Sequence, residues 1–426
     1  MKWRILGLVF LNQLVWINAV PFNFAPDEDV HWELVSRTAA LRRFPNPNLD
    51  YLPDGIAPGT SRNQLTYAFL QPLPYLVAAA PVIYKNHYLS ARAVSGLWVV
   101  ILVWSVFGIV ERWTQDKTLA AYSALGVGMI PQISFLGAYV NSDISAIALV
   151  GVVLWLAVRG QVKTWGIALG AAALTRYNAY PALLLSALVL GRRALAGLVI
   201  AGLIAGPWLW THLGDTQRFY TLARQSSPEQ FHNFGIWTML AGTTWLPTTL
   251  KSAFGMFDWN FLALPDGVYI FVLILAAIIV FKSLTKINKW IVWARLTILA
   301  TFALAVFYSA KGAYQPQGRY LLVAIAAWGI LLAAAGRKWA KIWAMVCVGC
   351  NLGSMAGVIL PGYYAAGMGL TGLDFYKQAF WEIVYAKPWP FNWWGFGVIV
   401  GLWIAVYLSC AQAFTRPLSP GPFQNR

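Results

Sequence analysis

Acidic side chains are scarce in this chain, with fifteen Asp and Glu among 426 residues against thirty-one Lys and Arg. Charged residues of both signs reach only 11%, less than half of the roughly 25% usual in soluble domains, which excludes an ordinary water-soluble globule. Cysteine is equally sparse. Cys347, Cys350 and Cys410 all fall inside apolar runs, so neither a disulfide framework nor a thiolate metal cluster is implied. The phosphate-binding P-loop, the dinucleotide-binding glycine pattern, the zinc-protease motif and the nucleophile elbow are all missing, which argues against ATP hydrolysis within the chain.

What is abundant is hydrophobicity, at 59% of positions with a mean hydropathy of +0.59. Apolar runs recur along nearly the whole length, long enough to cross about 30 Å of hydrocarbon as helices. The short alternating segments of a transmembrane barrel do not occur. The fold class is therefore all-α polytopic membrane protein. Spans are expected at 4–21, 91–110, 118–138, 143–158, 164–176, 178–191, 194–211, 267–282, 290–309, 319–335, 339–361 and 393–413. The pair at 164–176 and 178–191 is short and reads as two half-helices meeting at "TRYN". Residues 66–84 carry Pro72, Pro74 and Pro81 and are expected as a surface helix rather than a span. Asn12, Gln13 and Asn18 sit poorly in a signal peptide's apolar region, so the first run is read as a retained helix.

Charge sets the orientation. Counting crossings from a cytoplasmic N-terminus places Arg112, Lys117, Arg159, Lys163, Arg192, Arg193, Lys282, Lys286, Lys289, Arg337, Lys338 and Lys341 in short inner segments, the positive-inside pattern. Of the fifteen acids only Glu111 and Asp116 fall inside, which leaves thirteen outside. The net charge of +16 is thus an orientation signal and implies no nucleic-acid partner. Long outer segments at 22–90, 212–266 and 362–392 are where function is expected. The chain divides into a core module over 1–212, an outer loop over 213–266, a C-terminal helix module over 267–413 and a disordered tail over 414–426.

Four of the scarce acids lie together in "NFAPDEDVHWELV", residues 23–35, directly after the first apolar run. Pro26 suits a first helical position and acids suit a first turn, so part of this is a favourable helix start. Asp29, Glu33 and Arg37 form an i, i+4, i+8 stripe, a surface ion-pair ladder. Asp27 and His31 share another face within about 40°. Asp27, Glu28 and His31 remain as a convergent set that could act as general base, relay protons or bind metal. Further on, "YVNSDIS" puts Asn141 and Asp143 at an outer helix start. "GAAALTRYNAY" puts Arg176 at an outer helix end, where it needs an anion, water or an acid partner. "AKGAYQPQGRYLL" supplies Lys311 and Arg319 around a Gly turn; they are either interfacial anchors or ligands for a lipid phosphate. "LKSAFGMFDWNF" adds Lys251, Asp258 and aromatic residues that fit an interfacial belt.

In this order, "PDEDVH" (26–31), "FLQPLPYLV" (69–77), "YVNSD" (139–143), "ALTRYNA" (173–179), "FGMFDW" (254–259) and "QGRYLL" (317–322) resemble the GT-C superfamily of polyprenyl-phosphate-sugar-dependent glycosyltransferases. The resemblance covers roughly residues 1–325. It implies a GT-C-like bundle of about twelve transmembrane helices with surface helices in the first outer loop, at 27–43 and 66–84. It also implies transfer of a sugar, hexose or pentose, from a polyprenyl-phosphate donor to a glycan, lipid or protein acceptor, outside a bacterial inner membrane. Asp27, then Glu28, would be the base and His31 a catalytic neighbour. Asn141, Asp143, Arg176, Tyr177, Lys311, Gln317, Arg319 and Tyr320 would bind substrate. Metal use is left open, with Asp27, Glu28, His31 and Asp143 as candidate ligands for one divalent cation. The rival reading is a transporter or flippase of a lipid-linked glycan, which would need the cations but no base.

Overall fold

In the computed structural model the described residues are 1–45, 70–226, 235–258, 260–364 and 392–415, with positions 374, 377–379, 381 and 387. The tail beyond 415 and the part of the surface-helix segment at 66–69 lie outside them. The architecture is a helical bundle. Its helices are α1 (Lys2–Ala19), α2 (Glu28–Leu41), α3 (Leu73–Tyr84), α4 (Tyr88–Thr114), α5 (Lys117–Gly128), α6 (Pro131–Leu136), α7 (Asp143–Val158), α8 (Val162–Ala173), α9 (Tyr180–Leu190), α10 (Ala194–Ser226), α11 (Ile236–Gly242), α12 (Trp245–Gly255), α13 (Asp266–Leu284), α14 (Lys289–Lys311), α15 (Ile325–Ala335), α16 (Arg337–Ser354), α17 (Leu360–Tyr364) and α18 (Trp393–Thr415). A two-residue hairpin, β1 (Met256–Phe257) and β2 (Leu262–Ala263), pairs antiparallel with Phe257 opposite Leu262. Among the described residues six helical segments are long and apolar enough to cross a membrane: Tyr88–Thr114, Tyr177–His212, Asp266–Leu284, Lys289–Lys311, Gly318–Ala335 and Arg337–Tyr364. Shorter apolar helical stretches are Leu73–Tyr84, Asp143–Val158 and Gly395–Leu408.

Two of the expected spans have other bounds in the structure, and one expected break is found. The run at 118–138 is not one helix. It stops at Gly128 and restarts at Pro131 as α6, because proline has no N–H to give and its ring clashes with the carbonyl four residues back. The run at 194–211 continues to Ser226 through Pro207. The half-helices meeting at "TRYN" are α8 and α9, of 12 and 11 residues, or about 18 and 16 Å. Arg176 lies between them in extended backbone, φ −157° and ψ 144°.

One core cluster draws on α1, α4 to α7, α15 and α16, so both expected modules contribute to the same interior. Helix α1 is bound into it by polar side chains that an aqueous helix would expose. The Asn12 amide donates to Ser134 Oγ at 3.1 Å, Trp16 Nε1 donates to Asn351 Oδ1 at 3.0 Å, and the Asn351 amide donates to the same Ser134 hydroxyl at 2.7 Å. Buried polar groups paired in this way fix helix register. On the side assigned inward, Asp116 caps α5 by accepting from Thr118 N and Leu119 N and is paired with Arg337 at the start of α16.

Helices α2 and α3 form a separate layer. Tyr75, Ala78, Ala79 and Val82 of α3 pack on Leu34 and Val35 of α2. The opposite face of α2 carries the exposed Arg37–Glu33 ion pair at 3.2 Å, part of the expected ladder.

Candidate active site

The first outer segment is fixed by one arginine. Arg92, fully buried on α4, donates through Nε and Nη2 to the two carboxylate oxygens of Glu28, at 2.7 and 2.6 Å. Its remaining donors go to the carbonyls of Ile17, Val20 and Pro21, at 3.1, 2.6 and 3.0 Å, which the end of α1 would otherwise leave unpaired. Glu28 also accepts from the backbone N–H groups of Asn23 and Val140, at 3.1 and 3.2 Å. Four donors therefore occupy the Glu28 carboxylate and its side chain is 0% exposed. Glu28, expected as a second base, is placed instead as the clasp joining α1, α2, α4 and the approach to α7.

That clasp sets the position of its neighbour. Helix α2 begins at Glu28 rather than Pro26, and Asp27 is its cap with left-handed backbone, φ 60° and ψ 15°. Aspartate and asparagine tolerate this region better than other side chains bearing a Cβ. The turn directs the Asp27 carboxylate away from Glu28 and toward Arg319, 3.9 Å from Nη2, with 44% of its side-chain surface exposed. Its pKa is raised above the ordinary carboxylate value by burial, which outweighs the lowering by Arg319 and Arg176. A carboxylate shifted in that direction is a better proton acceptor near neutral pH.

Arg319 is held by three elements. Gly318 packs so tightly on α12 that a Cβ there would overlap the backbone of Ala253 and Thr249, and its N–H donates to Ser252 Oγ at 2.7 Å. Arg319 Nε donates to Gln317 Oε1 at 2.7 Å. Its Nη1 lies 3.6 Å from Asp143 Oδ2. Asp143 opens α7, is 1% exposed and pairs at 2.5 Å with Arg176 from the α8–α9 break. Both guanidiniums lie over the Tyr320 ring, at 5.9 Å for Arg176 and 5.6 Å for Arg319, a contact in which the cation meets the negative ring face. Two carboxylates and two guanidiniums from four sequence segments thus form one cluster.

The other expected residues fall around it. His31 is buried beneath the cluster, sharing a 2.7 Å hydrogen bond between Nδ1 and the Tyr75 hydroxyl. Burial, followed by the charge of Arg176, lowers its pKa to about 3, so it is a neutral positioning group. Asn141, expected to bind substrate, instead donates to the carbonyls of Leu136 and Tyr139, at 2.7 and 2.9 Å, and accepts from Ile144 N at 3.0 Å. It is the start signal of α7. Tyr177 stacks edge-on against Tyr180, and Lys311 is exposed at the end of α14, outside the four-residue cluster. Lys251 pairs with Asp266 at 2.6 Å.

Among the described residues no three His, Cys, Asp or Glu side chains gather to hold a metal ion. With Glu28 occupied by Arg92 and Asp143 by two arginines, the expected ligand set of Asp27, Glu28, His31 and Asp143 does not fit a divalent cation.

Beside Arg319 a small solvent-open cleft, with a cavity volume of about 30 Å³, is lined by Pro26, Gln132, Phe135, Tyr139, Gln317 and Asp258, among others. The sequence pointed to neither Arg92 nor Gln132, and to Tyr139 only as the first residue of "YVNSD". Arg92 was visible only as a charge near the edge of an apolar run.

No protein-family model matches the chain, and no curated protein does. Solved structures do. The crystal structure of ArnT from Cupriavidus metallidurans bound to undecaprenyl phosphate superposes with a TM-score of 0.57 at 16% identity, over 97% of this chain and 72% of that one. The same protein in the apo state gives 0.54 at 17% identity, over 94% and 71%. The chain shares the fold of these ArnT structures, an all-α polytopic bundle as the composition implied.

Proposed function

We propose that this protein is a membrane glycosyltransferase that moves a sugar from a polyprenyl-phosphate donor to an acceptor hydroxyl. The observation that carries the reading is the Asp27–Arg319–Asp143–Arg176 cluster at the edge of a cleft. The shared fold adds to it, since the related ArnT structure holds undecaprenyl phosphate. The site faces outward, on the side opposite the cationic inner loops, in a bacterial inner membrane.

The charges suit the reaction. Arg319 and Arg176 are largely covered cations able to bind phosphate oxygens in bidentate fashion, and Asp143 holds both in place. The acceptor oxygen attacks the anomeric carbon while Asp27 takes its proton. The bond from that carbon to the phosphate oxygen breaks, and its electron pair stays on the lipid phosphate. The donor phosphodiester carries one negative charge and the released phosphate approaches two. Asp27 loses its charge in the same step. The total within the cluster is therefore unchanged, and Arg319 can exchange Asp27 for the phosphate as its partner. Attack opposite the leaving group inverts the anomeric centre.

The test is direct. Purified protein incubated with polyprenyl-phosphate sugars and candidate acceptors should release polyprenyl phosphate, and the Asp27→Asn variant should not. A wild-type protein that binds these lipids without releasing phosphate would support a transporter instead.

A further inference from the structure

From 267 to 373 the sequence contains no aspartate or glutamate. Within that stretch the turn joining α13 to α14, on the side assigned inward, carries Lys282, Lys286 and Lys289, all exposed. Arg295 stands behind them on α14. Its Nη2 donates to the carbonyls of Ser283 and Lys286, at 2.5 and 3.3 Å, which closes the end of α13. Its Nε is buried and has no hydrogen-bond partner. Asn288 Oδ1 accepts from Trp290 N at 3.0 Å and so caps α14. Both helix ends being closed, the turn is a fixed frame for its charges.

Those charges have no counterpart within the chain. The two acids assigned to this side act elsewhere, Asp116 on Arg337 and Glu111 on Lys2 at the start of α1. Apolar side chains stand among the lysines: Phe281 and Leu284 are exposed, and Ile287 is 90% exposed. Exposed Ile270, Phe271 and Ile274 continue the apolar surface along α13. An orientation signal needs only a count of cations, neither a capped turn nor large apolar groups set between them. A soluble polyanion would satisfy the lysines and leave the apolar groups in water. A phospholipid supplies phosphate to the first and acyl chains to the second.

We infer that the α13–α14 turn binds an anionic phospholipid of the leaflet it faces, with phosphate held among Lys282, Lys286, Lys289 and Arg295 and acyl chains along Phe281 and Leu284. This site lies apart from the charged cluster and does not depend on the reaction proposed above.

The experiment places the full chain in phosphatidylcholine nanodiscs containing a minor fraction of cardiolipin and measures the lipid retained by native mass spectrometry. Wild type should retain cardiolipin in preference to phosphatidylcholine. Each cation near a lipid surface strengthens attraction about fivefold. Lys282→Gln, Lys286→Gln and Lys289→Gln together should therefore weaken retention by about a hundredfold. Exposed side chains tolerate this change, and a melting curve in phosphatidylcholine alone should match wild type. Removing three exposed cations elsewhere on the same side, as Lys117→Gln, Lys163→Gln and Lys338→Gln, should leave retention unchanged. Lys286→Glu alone should weaken it more than Lys286→Gln. A wild type without preference, equal loss in the two triple variants, parity of the two Lys286 variants, or soluble polyphosphate bound as tightly as cardiolipin would each overturn the assignment.

Discussion

The Asp27 carboxylate lies 3.9 Å from the Arg319 guanidinium, at the limit of ion-pair contact, with nearly half of its surface open. Such a pair is loose enough to part when a stronger anion arrives. The base of the proposed reaction is thereby stored against the cation that receives the leaving group.

Asp27→Asn removes the proton acceptor and an anion beside Arg319. Transfer should fall by about 10²–10⁴-fold, the usual contribution of a positioned base. Affinity for polyprenyl phosphate should hold or improve. Thermal stability at neutral pH should also hold or rise, because a folded-state pKa raised above the unfolded value means the ionised group disfavours folding there. Turnover, lipid binding and melting curves on one preparation check all three.

Arg319→Lys should not rescue phosphate binding. Lysine offers a point charge where the arginine is only 12% exposed and shared among Asp27, Asp143 and Gln317. We expect a loss of about 10²–10³-fold in transfer, as for removal of one oxyanion donor, accompanied by weaker donor binding. Unchanged donor affinity would remove Arg319 from phosphate recognition.

Glu28→Gln should act on stability rather than on chemistry. The partner Arg92 would remain buried with its charge uncompensated, a loss of about 3–5 kcal/mol. An Arg92→Met, Glu28→Leu double variant should recover part of the stability lost by the single change. Melting temperatures of the two variants measure this, and a normal melting curve for Glu28→Gln would undo the structural role.

His31 gives a pH signature. Its folded pKa of about 3 lies below the 6.5 of the free side chain. The stability it contributes is complete above about pH 6.5 and declines as pH falls toward 3. Stability in that interval should therefore drop less steeply in His31→Gln than in wild type, as read from melting curves against pH.

Gly318→Ala should misplace Arg319 without touching it. The added methyl meets the backbone of α12, which cannot yield as a side chain would. A destabilisation of about 1–3 kcal/mol is expected, and donor binding should fall with it. Arg176, on a different element, should leave Gly318 packing intact when replaced, so the two changes can be told apart by melting temperature.

The helices were legible because apolar length is a local property, and most expected spans coincide with observed helices. The break at Pro131 lay within an unbroken apolar run that outweighed one proline. The Arg176 charge posed a question that sequence could frame only as alternatives, an acid or a phosphate. Its 2.5 Å pair with Asp143 answers for the resting protein. The division of labour between Asp27 and Glu28 was not legible. It depends on Arg92, 64 positions from Glu28, and on a left-handed turn at Asp27 that places two adjacent acids on opposite errands.

That left-handed turn narrows what position 27 can accommodate. A glutamate has the right acid but a backbone preference that opposes φ 60°. Saturation of the codon should therefore yield well-folded protein from aspartate, asparagine and glycine, with only the first able to support growth wherever the cell depends on the product. Chemical likeness is a poor guide to replacement here. The shape of the peptide chain at that single residue restricts the choice before any chemistry is called upon.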